Sequence, residues 1–213
     1  MTFSMDCRRC TRLADFLDEV RTGHPAYHAL PVNSFGEAGN KFLIVGLAPG
    51  MHGANRTGRP FTGDYAGNLL YGTLHKYGFA SSAEPLDTAG NANPALHLSG
   101  CRITNAVRCL PPQNKPEPVE IRSCNGYLAE ELAQLPKGSA VMALGTIAHQ
   151  AVLMALQLRK SGFPFAHGAQ HELPGGLTLF DSYHCSRYNT QTKRLTTAMF
   201  EAVVAEIAQH VGH

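Results

Sequence analysis

The chain has 213 residues, 44% of them hydrophobic, and a formal net charge of +2. That length suits one α/β domain over residues 1–213 with a sizeable core, and no apolar run approaches the roughly 20 residues a membrane helix needs. The small charge does not announce a nucleic-acid partner by itself, and six cysteines behind a start with no apolar signal core favour reduced thiols or metal ligands over disulfides.

Cys7-Arg8-Arg9-Cys10 opens the chain, and Leu13, Phe16, Leu17 and Val20 then mark a short amphipathic helix. Phe42 to Val45 reads as a buried parallel strand, followed by a long loop from Gly46 to Asp64 and a helix from Ala66 to Tyr77. Residues 80–100 read as a surface excursion. Cys101 to Cys109 reads as a second strand, and the prolines after it stiffen the segment before a helix that starts at Pro118. That helix puts Ile121, Cys124, Leu128, Leu132 and Leu135 on one face. Ala140 to Leu144 is a third strand. The helix after Gly145-Thr146 turns Ile147, Ala151, Met154 and Leu158 inward. His167 and His171 have a zinc-like spacing but sit among glycines and Pro174 without nearby acids, which predicts a solvated loop. Leu177 to Phe180 is the fourth strand, and a last helix carries Leu195, Met199, Val203, Ile207 and Val211. Strands alternating with helices predict a three-layer α/β/α architecture round a four-stranded parallel sheet.

The loop 46–64 organises the rest. It concentrates Asn55, Arg56, Arg59, Phe61 and Asp64 in nineteen positions after a strand, where an open α/β sheet places its ligand site. Its glycine spacing from Gly53 to Arg59 resembles a phosphate-cradling loop, but the lysine is missing and Pro60 stands where Ser or Thr belongs. Asp64 has an ordinary alternative role as the helix N-cap. Phe61 is either core or a platform for a stacked base, and Asn105 either a turn residue or an amide that reads a ring edge. His184 follows the fourth strand. From His184 to Arg194 there is no carboxylate, while Arg187, Lys193 and Arg194 are cationic. Four thiols, Cys7, Cys10, Cys109 and Cys124, fall where the fold can gather them; an iron–sulfur cluster, a zinc ion and no ligand at all remain open on spacing alone. Cys101 and Cys185 have no such company.

These residues resemble the uracil-DNA glycosylase superfamily, above all its family 5 (the UDGb type). The matching runs are Gly-Leu-Ala-Pro through His-Gly-x-Asn-Arg-Thr-Gly-Arg-x-Phe-Thr-Gly-Asp at 46–64, Thr-Asn-Ala-Val-Arg-Cys-x-Pro-Pro-x-Asn-Lys-Pro at 104–116, and Tyr-His-x-Ser-Arg-x-Asn-Thr at 183–190. The resemblance implies a monofunctional repair enzyme that flips a deaminated base from double- or single-stranded DNA and hydrolyses its N-glycosidic bond, leaving an abasic site. The base would be uracil, or also hypoxanthine or xanthine. It implies catalytic roles for Asp64, Asn105 and His184. Gly46, Ala48, Gly50, Asn55, Phe61, Arg187 and Tyr188 would bind the substrate, with Tyr188 as the wedge filling the vacated stack. A 4Fe-4S cluster on Cys7, Cys10, Cys109 and Cys124 is implied too, in a cytoplasmic monomer without membrane attachment. The chain departs from the pattern in Cys185, where proline is usual, so the stiffness of that loop is in question. Gly50 stands where relatives often carry alanine, which reads as harmless, and Ala48 leaves no strong base in the first motif. The competing readings are an iron–sulfur redox protein and a catalytically weak nucleic-acid-binding module.

Overall fold

A computed structural model describes residues 3–213. Among these, five strands form one sheet: Phe42–Gly46 (β1), Cys101–Asn105 (β2), Ala140–Leu144 (β3), Gln170–Leu173 (β4) and Leu177–Ser182 (β5), in spatial order β2-β1-β3-β5-β4. The helices are Thr11–Gly23 (α1), Ala54–Thr57 (α2), Tyr65–Lys76 (α3), Pro118–Ala133 (α4), Thr146–Ala155 (α5), Arg187–Gln191 (α6) and Thr197–Val211 (α7).

β1 and β3 are buried at every residue, as strands covered on both faces must be. Alternate side chains separate the two faces. Phe42, Ile44, Ile103, Met142 and Phe180 pack with Leu70 and Leu74 of α3 and with Phe200, Val203 and Ile207 of α7. Leu43, Val45, Val141, Ala143 and Leu179 pack instead with Leu128 and Leu132 of α4 and Ala148 and Val152 of α5. Each of the larger side chains among these contributes roughly 1.5–3 kcal/mol through burial. The result is the three-layer arrangement that the alternating pattern predicts.

The sheet corrects the predicted strand count. Its four parallel strands are the expected ones, but β4 adds an antiparallel edge by pairing with β5. Only Leu173 of β4 is buried, so no apolar run announces it. Gly175 and Gly176, at φ 81° and 76°, make the tight return that a side chain would resist. His171 therefore lies on a strand and not in a solvated loop. The inward face of α5 is also turned from the predicted one: Ile147 is exposed, and Ala148, Ala151 and Val152 are buried.

Local chemistry sets the helix ends that matter for the site. α4 starts with Pro118 in its first turn, and the Glu120 carboxylate accepts from the Glu117 N–H at 2.6 Å. The same carboxylate takes the Arg12 guanidinium at 2.7 and 2.8 Å, tying α1 to α4. β1 and β2 pair from Phe42–Cys101 to Gly46–Asn105, so their carboxyl ends finish level.

Candidate active site

A cleft of about 380 Å³ opens at those strand ends, and Ala48, Gly50, Phe61, Asp64, Asn105 and His184 line it. The first four come from the loop after β1, Asn105 ends β2, and His184 follows β5. The chain steps from β1 outward to β2, then back across to β3, so the loops leave in opposite directions and a crevice opens between them. Tyr65 and Arg187 also line it, with the Arg187 guanidinium 5.1 Å from the centre of the Tyr65 ring.

Asp64 occupies the N-cap position of α3, yet its side chain makes no capping hydrogen bond. Its backbone carbonyl accepts from the Gly67 N–H, which frees the carboxylate to turn toward α2 and accept from the Ala54 N–H at 3.3 Å. Burial pushes the Asp64 pKa above the usual carboxylate range; the Ala54 N–H, His52 and Arg56 pull it back only in part. A Cβ at Gly53 would overlap the carboxylate, and one at Gly50 would meet its Oδ1 at 2.5 Å. Gly50 is thus the close neighbour of Asp64, and the glycine in the place of alanine leaves the carboxylate room.

Asn105 is buried, and its Oδ1 has no hydrogen-bond partner. A Cβ at Gly46 would run into that oxygen and into the Phe61 ring, so the missing side chain lets both approach β1. Phe61 holds a left-handed backbone, φ 56°, at a cost of order 1–3 kcal/mol that the surrounding contacts offset. Its ring stacks on His184 with centroids 6.0 Å apart and 28° between planes. Burial pushes the His184 pKa down to about 4, so the imidazole is neutral at pH 7. The loop with Cys185 in the proline position is held by hydrogen bonds. The Asn189 amide donates to the His184 carbonyl at 2.8 Å, and Ser186 Oγ accepts from the Asn189 N–H to cap α6. Cys185 itself is fully buried.

The remaining predicted residues lie elsewhere. Asn55 is fully buried on α2, outside the cleft lining, and neither of its amide atoms has a partner. Tyr188 is 71% exposed on α6, beside exposed Arg187, Lys193 and Arg194. Arg56 and Arg59 do not face the cleft as free cations. Arg56 donates to the carbonyls of His52 and Gly90, and Arg59 to those of Asn93 and Pro85. Sequence reasoning singled out neither Tyr65 nor Ser186 as lining residues, although each adjoins a residue it did name.

Cys7, Cys10, Cys109 and Cys124 line one pocket between the chain start, the segment after β2 and α4. Around a single zinc ion with bonds of about 2.3 Å, tetrahedral thiolates sit about 3.8 Å apart. Among the described residues, only His149, His171 and Asp181 bring three ligand atoms within 4.8 Å of one another. The four thiols share one pocket, and no three of them meet that spacing among the described residues. Burial pushes the Cys124 thiol up to about 11, with Cys10 and Cys7 adding to the rise and Arg108 opposing it. Cys101 and Cys185 stay apart from this pocket, as expected.

Comparison with known proteins shows the family. Residues 34–208 match the Uracil DNA glycosylase superfamily. The chain is 48% identical over 212 residues to a type-5 uracil-DNA glycosylase of Thermus thermophilus, covering 97% of this chain and 94% of that protein. It is 39% identical over 217 residues to that of Mycobacterium bovis, covering 97% and 78%. With the Pyrobaculum aerophilum type-5 enzyme the identity is 34% over 212 residues, covering 98% and 90%.

Proposed function

The chain belongs to the uracil DNA glycosylase superfamily, and from that premise we propose that it excises uracil from DNA as a type-5 enzyme. The observation that carries the reading is the convergence of a freed carboxylate, an unpartnered buried amide and a neutral imidazole on one cleft beside an aromatic ring. Flipping a base into the cleft costs a few kcal/mol and least at mispairs, which favours deaminated bases over their parents. Phe61 stacks the base, and the orphan Oδ1 of Asn105 accepts a hydrogen bond from its edge. Breaking the glycosidic bond leaves negative charge on the base and positive charge on the sugar. His184, neutral at pH 7, donates its ring N–H to the departing base. Asp64 aligns the attacking water and offsets the sugar's charge. Ala48 offers no base at the third position of the loop, so the work is shared among these groups. The exposed cations Arg187, Lys193 and Arg194 contact backbone phosphates, and Tyr188 fills the gap left in the stack. Duplex and single-stranded DNA, acted on by a monomer, are the substrates this surface suits, and hypoxanthine and xanthine are further candidate bases.

The four-cysteine pocket is assigned to a 4Fe-4S cluster held by Cys7, Cys10, Cys109 and Cys124. When bound, the cluster supplies a cationic centre for four thiolates and clamps the chain start onto α4. No helix among the described residues is long and apolar enough to cross a membrane. Single-turnover cleavage of uracil-, hypoxanthine- and xanthine-containing DNA tests the enzymatic reading. Folded protein inert on all three would end it. Iron content tests the cluster separately, with about four irons per chain expected after anaerobic purification.

A further inference from the structure

We propose that His149, His171 and Asp181 form a site for a divalent cation of the zinc class, outside both the cleft and the cysteine pocket. The three come from different elements: His149 from α5, His171 from the edge strand β4, and Asp181 from β5. Register explains the meeting. His171 pairs with Leu179, so Asp181, two residues on, points to the same face of the sheet, and that face is the one α5 covers.

The hydrogen bonds leave this group incomplete. His149 Nε2 lies 2.9 Å from the Phe163 carbonyl, which only accepts, so Nε2 carries the hydrogen. That leaves the Nδ1 lone pair 2.7 Å from Asp181 Oδ1, two acceptors face to face unless a cation, proton or metal, lies between them. Asp181 is fully buried, and its Oδ2 has no partner. His171 Nε2 is likewise buried and unpartnered, 3.5 Å from that oxygen, too long for a hydrogen bond. A nitrogen and a carboxylate oxygen bound to one tetrahedral zinc ion sit about 3.3–3.5 Å apart; His171 Nε2 is already 3.5 Å from Oδ2, while His149 Nδ1 faces the other oxygen, Oδ1, so the carboxylate would hold the ion through both oxygens. The His149–Asp181 spacing would open by about half an ångström. The Phe163 carbonyl plays the outer partner that orients a metal-bound histidine. Such an ion would fasten the edge strand and the segment 163–165 to α5.

The inference does not depend on the glycosylase reading and is tested apart from it. Anaerobically purified protein is stripped with chelator, then titrated with Zn²⁺ by calorimetry and with Co²⁺ by absorbance. We expect one zinc per chain beyond any bound by the cysteines, a raised Tm, and a tetrahedral cobalt spectrum without a thiolate charge-transfer band. His171→Gln, at a partly exposed edge position, should keep its metal-free Tm, lose the zinc-induced rise and bind at least tenfold more weakly, with uracil excision unchanged. In His171→Cys a thiolate-to-cobalt band should appear, because residue 171 itself would touch the ion. Absence of binding by folded wild-type protein overturns the proposal and leaves a shared proton between His149 and Asp181. Equal affinity in His171→Gln overturns it too, as does a His171→Cys protein whose cobalt spectrum matches that of wild type.

Discussion

Two sets of buried and half-buried polar side chains adjoin β2 and are treated in opposite ways. Beside the strand, Glu131 of α4 takes Arg102 at 2.8 Å and Arg108 at 2.8 Å, while Ser34 accepts from Arg108 and donates to Glu131 at 2.6 Å each. At the strand's end, Asn105 keeps an unpaired oxygen, Asp64 a nearly free carboxylate, and Phe61 a strained backbone. Each place combines a buried polar group, Arg108 in one and Asn105 in the other, with half-buried partners. Where they are mutually satisfied they hold elements together; where they are left unsatisfied they are set for something that arrives later.

The largest test of this contrast is Glu131→Gln. It strands the buried Arg108 guanidinium, so unfolding free energy in denaturant should drop by about 3–5 kcal/mol while excision per folded molecule stays put. Burial opposes the Glu131 charge, but Arg108, Ser34, Thr104 and Arg102 outweigh it and hold the carboxyl below its ordinary value. Its contribution is therefore full above the unfolded carboxyl pKa of about 4.5 and fades as pH falls through the lower folded value. Excision lost at unchanged stability would erase the distinction between the two regions.

Asp64→Asn comes next. Because the side chain does not cap α3, Tm should hold, while single-turnover cleavage slows by roughly 10²-fold or more. With its pKa raised above 3.8, Asp64 is ionised above that raised value and protonated below it, so wild-type cleavage should fall as pH drops through it. His184 stays neutral until about pH 4, so any part of the acidic limb above that pH should be lost in Asp64→Asn. Full activity in Asp64→Asn would move the water-aligning role to another group.

Gly50→Ala sharpens the contrast further, since its methyl would push directly on Asp64 Oδ1. A shift of well under an ångström should slow cleavage by roughly tenfold with little change in substrate binding. A rate equal to wild type would mean the carboxylate has room to spare. Smallest is Arg187→Ala. If Arg187 contacts a phosphate, the salt slope of DNA binding should decrease by about 1, equally for damaged and undamaged duplexes. An altered lesion preference with the slope intact would place Arg187 in the base pocket, where its stacking on Tyr65 already brings it close.

Much of this was legible in the sequence for physical reasons. Uninterrupted runs such as Phe42–Val45 and Ala140–Leu144 require two covered faces, and the loop after β1 announced a site by its mixture of glycine, cations and one acid. What stayed hidden depends on contacts between distant residues. β4 buries a single leucine, so only its pairing with β5 reveals it. His171 looked solitary because its acid, Asp181, arrives through the hairpin and its second histidine through α5. The N-cap position of Asp64 was readable, but the direction of its carboxylate follows from Gly50 and Gly53, whose missing side chains make the space. Arg56 and Arg59 put charge in the loop that announced the site, while the carbonyls they hold, apart from that of His52, lie far along the chain.

Those two arginines give residues 80–100 a meaning that the segment's own composition conceals. Their guanidinium groups grip the carbonyls of Pro85, Gly90 and Asn93 from within the catalytic loop. The excursion therefore works as an external splint, and a protein engineer trimming it as dispensable surface would remove the brace of the loop that carries Phe61 and Asp64. A protease nick at its tip would reach the chemistry in the same way, through a bond that never touches the substrate.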